Sequence, residues 1–272
     1  MSLILLHLIA SLAYVAIAAF LWKGLRHGVE TPQYTGVRSA HLLVAIPLII
    51  HLGLLSSTML RAEGLYLGVG NTVSLVIAIA VLIYWITGFA YRLDALNVLV
   101  LPCAAILSTL PLFVPATQPL VNTQLVLFKA HLLIAMLAYS LFTIASLHVL
   151  LMAIAEKHLH AHDVPPLLQT LPPLLTMEAV LFKILGSGFV FLTLTLATGV
   201  LFSEELFGKP LTFTHKTIFG FISWFIFGGL LLGRTLYGWR GRVAMRWTLA
   251  GFMALVLAYV GSRFVAEIIL QR

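Results

Sequence analysis

Eight apolar runs, each about as long as a bilayer's hydrocarbon core is thick, leave this chain few architectures to adopt. Lipid supplies no water to satisfy a bare backbone, so a run of about 20 apolar residues must close its own hydrogen bonds, and a helix does so within one segment. The runs fall near 2–22, 38–60, 71–90, 97–116, 126–155, 182–203, 217–236 and 245–270. They predict an all-α, polytopic integral membrane bundle of about eight transmembrane helices, a single transmembrane domain over 1–272. A composition of 61% hydrophobic and 9% charged residues, with mean hydropathy +1.07, removes the soluble globular classes. The opening run, Ser2 to Trp22, has no basic residue before it and no clear cleavage site after it, so it reads as the first span rather than a signal peptide.

Basic residues set the expected orientation. With both termini on the outer, periplasmic side of a bacterial inner membrane, the cytoplasmic loops hold Lys23, Arg26, Arg38, Arg92, Lys157, Lys183, Arg234, Arg240, Arg242 and Arg246. The outer side then keeps Arg61, Lys129, Lys209, Lys216, Arg263 and Arg272, and this split obeys the positive-inside tendency. The same placement accounts for the formal charge of +7 and the pI near 9.8 without nucleic acid, so the bilayer is the expected partner of these charges. Cys103 is the single cysteine, which excludes an intrachain disulfide and a cysteine-based metal site.

Several features punctuate the spans. Pro102, Pro111 and Pro115 are expected to bend or end the fourth, since each removes a backbone donor. Gly229 with Gly233, and Ala250 with Ala254 and Ala258, mark close helix packing. Between Glu156 and Lys183 the sequence is interrupted by paired prolines, and LLTMEAVLF reads as an interfacial helix leading into the sixth span. Arg263 and Glu267, four residues apart, read as a structural ion pair.

Histidines carry the chemistry worth weighing, because a strongly polar side chain at membrane depth asks for a partner. His131 stands just inside the outer end of span five, two residues after the interfacial Lys129. His51 stands in span two, nine residues before Leu60 and so about 14 Å below the same edge. Neutral imidazoles from facing helices can clamp a haem iron between apolar side chains; each is equally compatible with a hydrogen bond to a neighbouring helix. His41 and His148 lie on the same two helices, ten residues from His51 and seventeen from His131. Those spacings rotate the second imidazole by about 80° to 100° off the first, so this pair reads as packing or headgroup-level residues. His215 falls in an outer loop entering span seven, able to reach over a ligand below it. The tract HLHAHD, with His158, His160, His162 and Asp163, resembles a loose metal-binding run in a cytoplasmic loop.

No GxSxG, HExxH, Walker or dinucleotide motif occurs, and no pair of carboxylates lies in a span. Hydrolysis and phosphoryl transfer therefore have no support, and proton-coupled transport lacks its expected buried acids. A binding or assembly factor without catalysis is the class that remains.

Three stretches are familiar together: HLLIAMLAYSLFTIASLHVLL, LPPLLTMEAVLFKILGSGFVFLTLTLATGVLF and YGWRGRVAMRWTLAGFMALVLAYVGSRF. They resemble the cytochrome c assembly family of haem-handling membrane proteins, in its short YpjD-like or HemX-like branch, most strongly over 125–270. The resemblance implies haem b held in the outer half of the bundle, with His131 in the position of the family's first outer histidine. The loop LFGKPLTFTHKTIF stands where the family has a tryptophan-rich motif but contains no Trp, and no second outer histidine follows span eight, so His215 is the expected substitute. Together the residues and the resemblance point to haem iron on His131 and His51, propionates near Lys129, Lys216 and Arg61, and a cytochrome maturation factor or other membrane protein as partner. A haem-free scaffold docking a partner through 234–246 and 156–183 is the alternative, and a small-solute transporter the third.

Overall fold

The structure, a computed structural model, describes residues 3–27, 41–89, 94–120, 123–160, 171–204 and 214–261. In chain order it runs α1 (Leu3–His27), α2 (Ala45–Met59), the strands β1 (Leu60–Arg61) and β2 (Gly64–Leu65), α3 (Val69–Thr87), α4 (Asp94–Leu107), α5 (Leu110–Phe113), α6 (Val126–His160), α7 (Leu174–Leu201), α8 (His215–Tyr237) and α9 (Gly241–Val256), the last passing into a π-helical turn, Leu257–Gly261. Seven of the described helical segments are long and apolar enough to cross a membrane, and Leu99–Phe113 is a shorter apolar helix in the place of the fourth span. The polytopic helical architecture expected from the sequence is the one observed.

The helices pack as two groups. In the first, α1 lies against α2 and α4, and α3 lies against α2, α4 and α5. In the second, α6 pairs along most of its length with α7, α8 pairs with α9, and the contacts of α7 with α8 and α6 with α9 complete the set. The groups meet where α3 and α4 pack on α6.

Without a hydrophobic driving force between helices in lipid, shape must hold them, and glycine provides the shape. Phe142 of α6 and Phe227 of α8 stack at the centre of the second group, centroids 3.8 Å apart. Gly188 of α7 receives the Phe142 ring and Gly251 of α9 receives Phe227; a Cβ on either would sit about 3 Å from ring atoms. Similarly Trp247 lies on Gly229 and Trp239 on Gly233. The glycines of the predicted seam thus admit aromatic rings rather than a bare neighbouring backbone.

One expected break is observed and two boundaries differ from the sequence expectation. The fourth span breaks between Leu107 and Leu110, where Pro111 cannot donate to the carbonyl four residues back, whereas Pro102 sits inside α4. LLTMEAVLF is the start of α7 itself, continuous with the sixth span, because nothing after Pro173 interrupts its helical hydrogen bonding. Finally, α6 has 35 residues, about 52 Å of helix against a core of about 30 Å, and it absorbs the first part of the HLHAHD tract. His158 there bonds the Ile154 carbonyl at 2.9 Å, as a residue in the last turn of a helix does. His162, Asp163, Arg263 and Glu267 lie outside the described residues.

Candidate functional site

Where α6, α8 and α3 begin, a polar cluster gathers around His131. His131 is buried, and its Nδ1 lies 2.8 Å from Thr198 Oγ1 on α7. The Thr198 hydroxyl donates its own proton to the Leu194 carbonyl at 2.8 Å and leans also on the Thr195 carbonyl. When the Thr198 hydrogen is given to the Leu194 carbonyl, its oxygen can accept only from a protonated Nδ1 of His131. Nε2 is then the basic nitrogen, the tautomer suited to bind a metal, oriented by a hydrogen bond on the opposite side of the ring.

Lys216, in the first turn of α8, lies close enough to His131 to act on it electrostatically, and its ammonium sits 4.9 Å from the centroid of the Tyr259 ring. Thr72 of α3 donates to the Tyr259 hydroxyl at 3.3 Å, and the Tyr139 ring of α6 meets Tyr259 edge-on at 6.1 Å. One tyrosine in the π-helical turn therefore ties α3, α6 and α8 together beside the imidazole. His215 and Lys129 are exposed at the starts of α8 and α6. Arg61, exposed in β1, lies over the Tyr66 ring at 4.4 Å, and the hairpin is joined to the segment before α6 by the Leu120 amide on the Leu65 carbonyl.

His51 occupies a different neighbourhood. It is fully buried, with Ser74 Oγ of α3 2.8 Å from Nε2 and the Tyr14 hydroxyl of α1 3.4 Å from Nδ1. Both ring nitrogens are engaged, and their partners are not those of His131. Between the two stands α3, whose Ser74 holds His51 while Leu75, Val76 and Ile79 pack with Ala135 and Met136 of α6. The structure thus brings His131 and Lys216 together and sets His51 in its own layer, linked through α3.

A third imidazole escaped the sequence reading. His7 of α1 is fully buried and lies in the neighbourhood of His51. Its Nδ1 donates to the Ser108 carbonyl at 2.8 Å, at the break between α4 and α5, and its Nε2 has no hydrogen-bond partner among the described residues. The legible signal was His7 and Tyr14 at a spacing of seven in an apolar span, hence on one helical face. His41 and His148 each serve a backbone carbonyl, those of Trp85 and Met177 at 2.9 Å, consistent with packing roles.

At the opposite end, Glu178 of α7 is buried and receives Arg234 at 2.7 Å and the Gly241 amide at 3.1 Å, with Arg240 at 3.9 Å. This carboxylate closes the loop between α8 and α9, and Arg234 also lies over Phe182 at 4.6 Å. Neither Glu178 nor its role was evident in the sequence, where it is a lone acid in LLTMEAVLF.

Among the described residues no three His, Cys, Asp or Glu side chains converge on a metal ion. One buried imidazole oriented by a hydroxyl is a donor that a haem iron could take, so the residues around His131 are compatible with haem.

Comparison with known proteins agrees with this architecture. The Escherichia coli (strain K12) inner membrane protein YpjD is 34% identical over 139 residues, 51% of this chain and 52% of YpjD. A 28.8 kDa protein of the nifR3-like 5′ region in Azospirillum brasilense is 32% identical over 187 residues, 68% of each chain. The cytochrome c biogenesis protein CcsA of Chlamydomonas reinhardtii is 25% identical over 178 residues, 63% of this chain and 49% of CcsA. The alignments with YpjD and CcsA thus span about half the length of those relatives. No solved structure matches the chain. The family model described as cytochrome c assembly protein matches residues 5–270, and the chain, a multi-pass protein of the bacterial inner membrane, belongs to that family.

Proposed function

We propose that this protein holds haem b at the end of the bundle where α6 and α8 begin, and that it serves cytochrome c assembly or haem homeostasis as a binding factor rather than an enzyme. Family membership and the names of the CcsA relatives support the assembly role. The observation that carries the haem reading is the contact of His131 Nδ1 with Thr198 at 2.8 Å, which orients the buried ring from one side as a ligand imidazole is oriented. When bound, haem supplies an iron able to accept that nitrogen and two propionates seeking cations. Lys216, Lys129, Arg61 and His215 are the cationic or proton-accepting groups at that end, and the Tyr259 and Tyr139 rings offer apolar faces. His131 is the axial ligand in this reading because it stands with Lys216 at the end where the cations gather, whereas His51 is held on both ring nitrogens by Ser74 and Tyr14. By the positive-inside tendency this end faces the periplasm, where apocytochrome c receives haem.

The test is the optical spectrum of the full chain purified from haem-replete cells. A Soret band is expected that disappears in His131→Ala, weakens or shifts in Thr198→Val, and persists in His51→Ala. A colourless wild-type protein, or a band that survives His131→Ala unchanged, overturns the reading.

The opposite end supports a second reading, a haem-free scaffold. Glu178 gives the loop between α8 and α9 a fixed shape that presents the exposed Tyr237, Leu236 and Arg240. A colourless protein whose membrane partner is lost in Arg240→Glu would favour it.

A further inference from the structure

Near the end where Glu178 sits, α6 and α9 leave a groove of about 490 Å³ between them, lined by Val149, Ala153, Glu156 and Lys157 on α6 and Arg242, Met245, Arg246 and Leu249 on α9. The two helices run antiparallel here, since the Arg242 and Glu156 side chains meet at 2.9 Å while one helix is ending and the other beginning. Polarity therefore changes with depth. At the rim Lys157, Glu156 and Arg242 stand nearest the helix ends with Arg246 one turn further in beside Met245, and Val149, Ala153 and Leu249 lie deeper along the span as the floor.

The rim is positive. Three cations face one carboxylate, and that carboxylate is engaged by Arg242. Arg246 and Lys157 are exposed and form no ion pair among the described residues. An anion at the mouth of this groove would be neutralised by those two side chains, while anything attached to it and lying along the floor would meet only apolar groups.

We propose that this groove is a binding site for an anionic glycerophospholipid, with its phosphodiester between Arg246 and Lys157 and one acyl chain along Val149, Ala153, Met245 and Leu249. The ordering of charge and apolar surface along the groove matches that of a lipid standing in its leaflet: a negative headgroup at the interface and hydrocarbon beneath. Basic recesses between transmembrane helices hold such headgroups by this combination. The Arg242–Glu156 pair braces the rim and keeps α6 and α9 in register around it.

The experiment uses the full-length chain in nanodiscs of phosphatidylcholine into which phosphatidylglycerol is titrated, read by retained lipid in native mass spectrometry and by thermal unfolding. Wild-type protein is expected to retain one phosphatidylglycerol and unfold at higher temperature with it. Arg246→Gln combined with Lys157→Gln should weaken that retention by about thirtyfold, the loss expected for two interfacial cations. These side chains are exposed, so the variant is expected to fold, and the restoring pair Arg246→Lys with native Lys157 should recover most of the binding. Equal retention of phosphatidylcholine, or undiminished phosphatidylglycerol binding in the double variant, overturns the proposal. Protection by inorganic phosphate alone, to the same degree, would assign the rim to free anions and overturn the lipid assignment.

Discussion

The two ends of the second helix group are fastened by different chemistry. At the Glu178 end a buried carboxylate gathers a guanidinium and a backbone amide from the loop it closes. At the His131 end hydroxyls, an imidazole, tyrosine rings and one lysine make the contacts, from 2.8 Å between His131 and Thr198 to 3.3 Å between Thr72 and Tyr259. A buried ion pair locks one geometry, because losing either partner strands a charge; hydroxyl and ring contacts can be exchanged at small cost. The contrast gives the Glu178 end one fixed geometry and leaves the His131 end freer to rearrange, as the proposed haem site requires.

Four substitutions test that contrast, in descending order of expected effect. Glu178→Ala should destabilise the protein by on the order of 3 kcal/mol, seen as lower yield and an earlier unfolding transition in detergent, since it leaves Arg234 part-buried without its partner. Combining it with Arg234→Leu should restore part of the loss; purely additive effects would remove the claim of a locked end. Gly233→Val should cost about 1 to 3 kcal/mol by the same assay, because its side chain meets the Trp239 ring. Thr198→Val should cost only about 1 kcal/mol in stability while altering the haem spectrum, a separation that marks ligand tuning rather than structure. Arg242→Gln, at an exposed pair, should change stability by less than about 1 kcal/mol. Were Thr198→Val as damaging as Glu178→Ala, the distinction between the two ends would collapse.

How much of this was legible in the sequence follows from the range of each interaction. Spans are local, and apolar length alone places seven of the eight expected, the fourth being the shorter helix Leu99–Phe113 among the described residues. The ten-residue spacing of His41 and His51 already separated their faces, and they do face different partners: Trp85 and Phe89 for one, Tyr14 and Ser74 for the other. Glu178 was invisible because its partners lie 56 and 63 residues away and an isolated acid near a span end has no pattern. Thr198 carried no signal in the sequence, since nothing local tells a hydroxyl bonded only to its own helix from one that also contacts an imidazole. The limits of α6 and α7 were misplaced because polar and charged residues near a membrane surface do not end a helix that is otherwise unbroken.

The bond from His7 to Ser108 has a bearing on how the protein is made. Its two ends are separated by 101 residues, so a ribosome threading the first helix into the bilayer exposes an imidazole whose acceptor has yet to be synthesised. The fourth hydrophobic segment, short and broken by proline, has a bare carbonyl to shelter when it emerges from the translocon. In the finished protein the first helix thus supplies the donor for a carbonyl that the proline break of the fourth segment leaves without its helical partner.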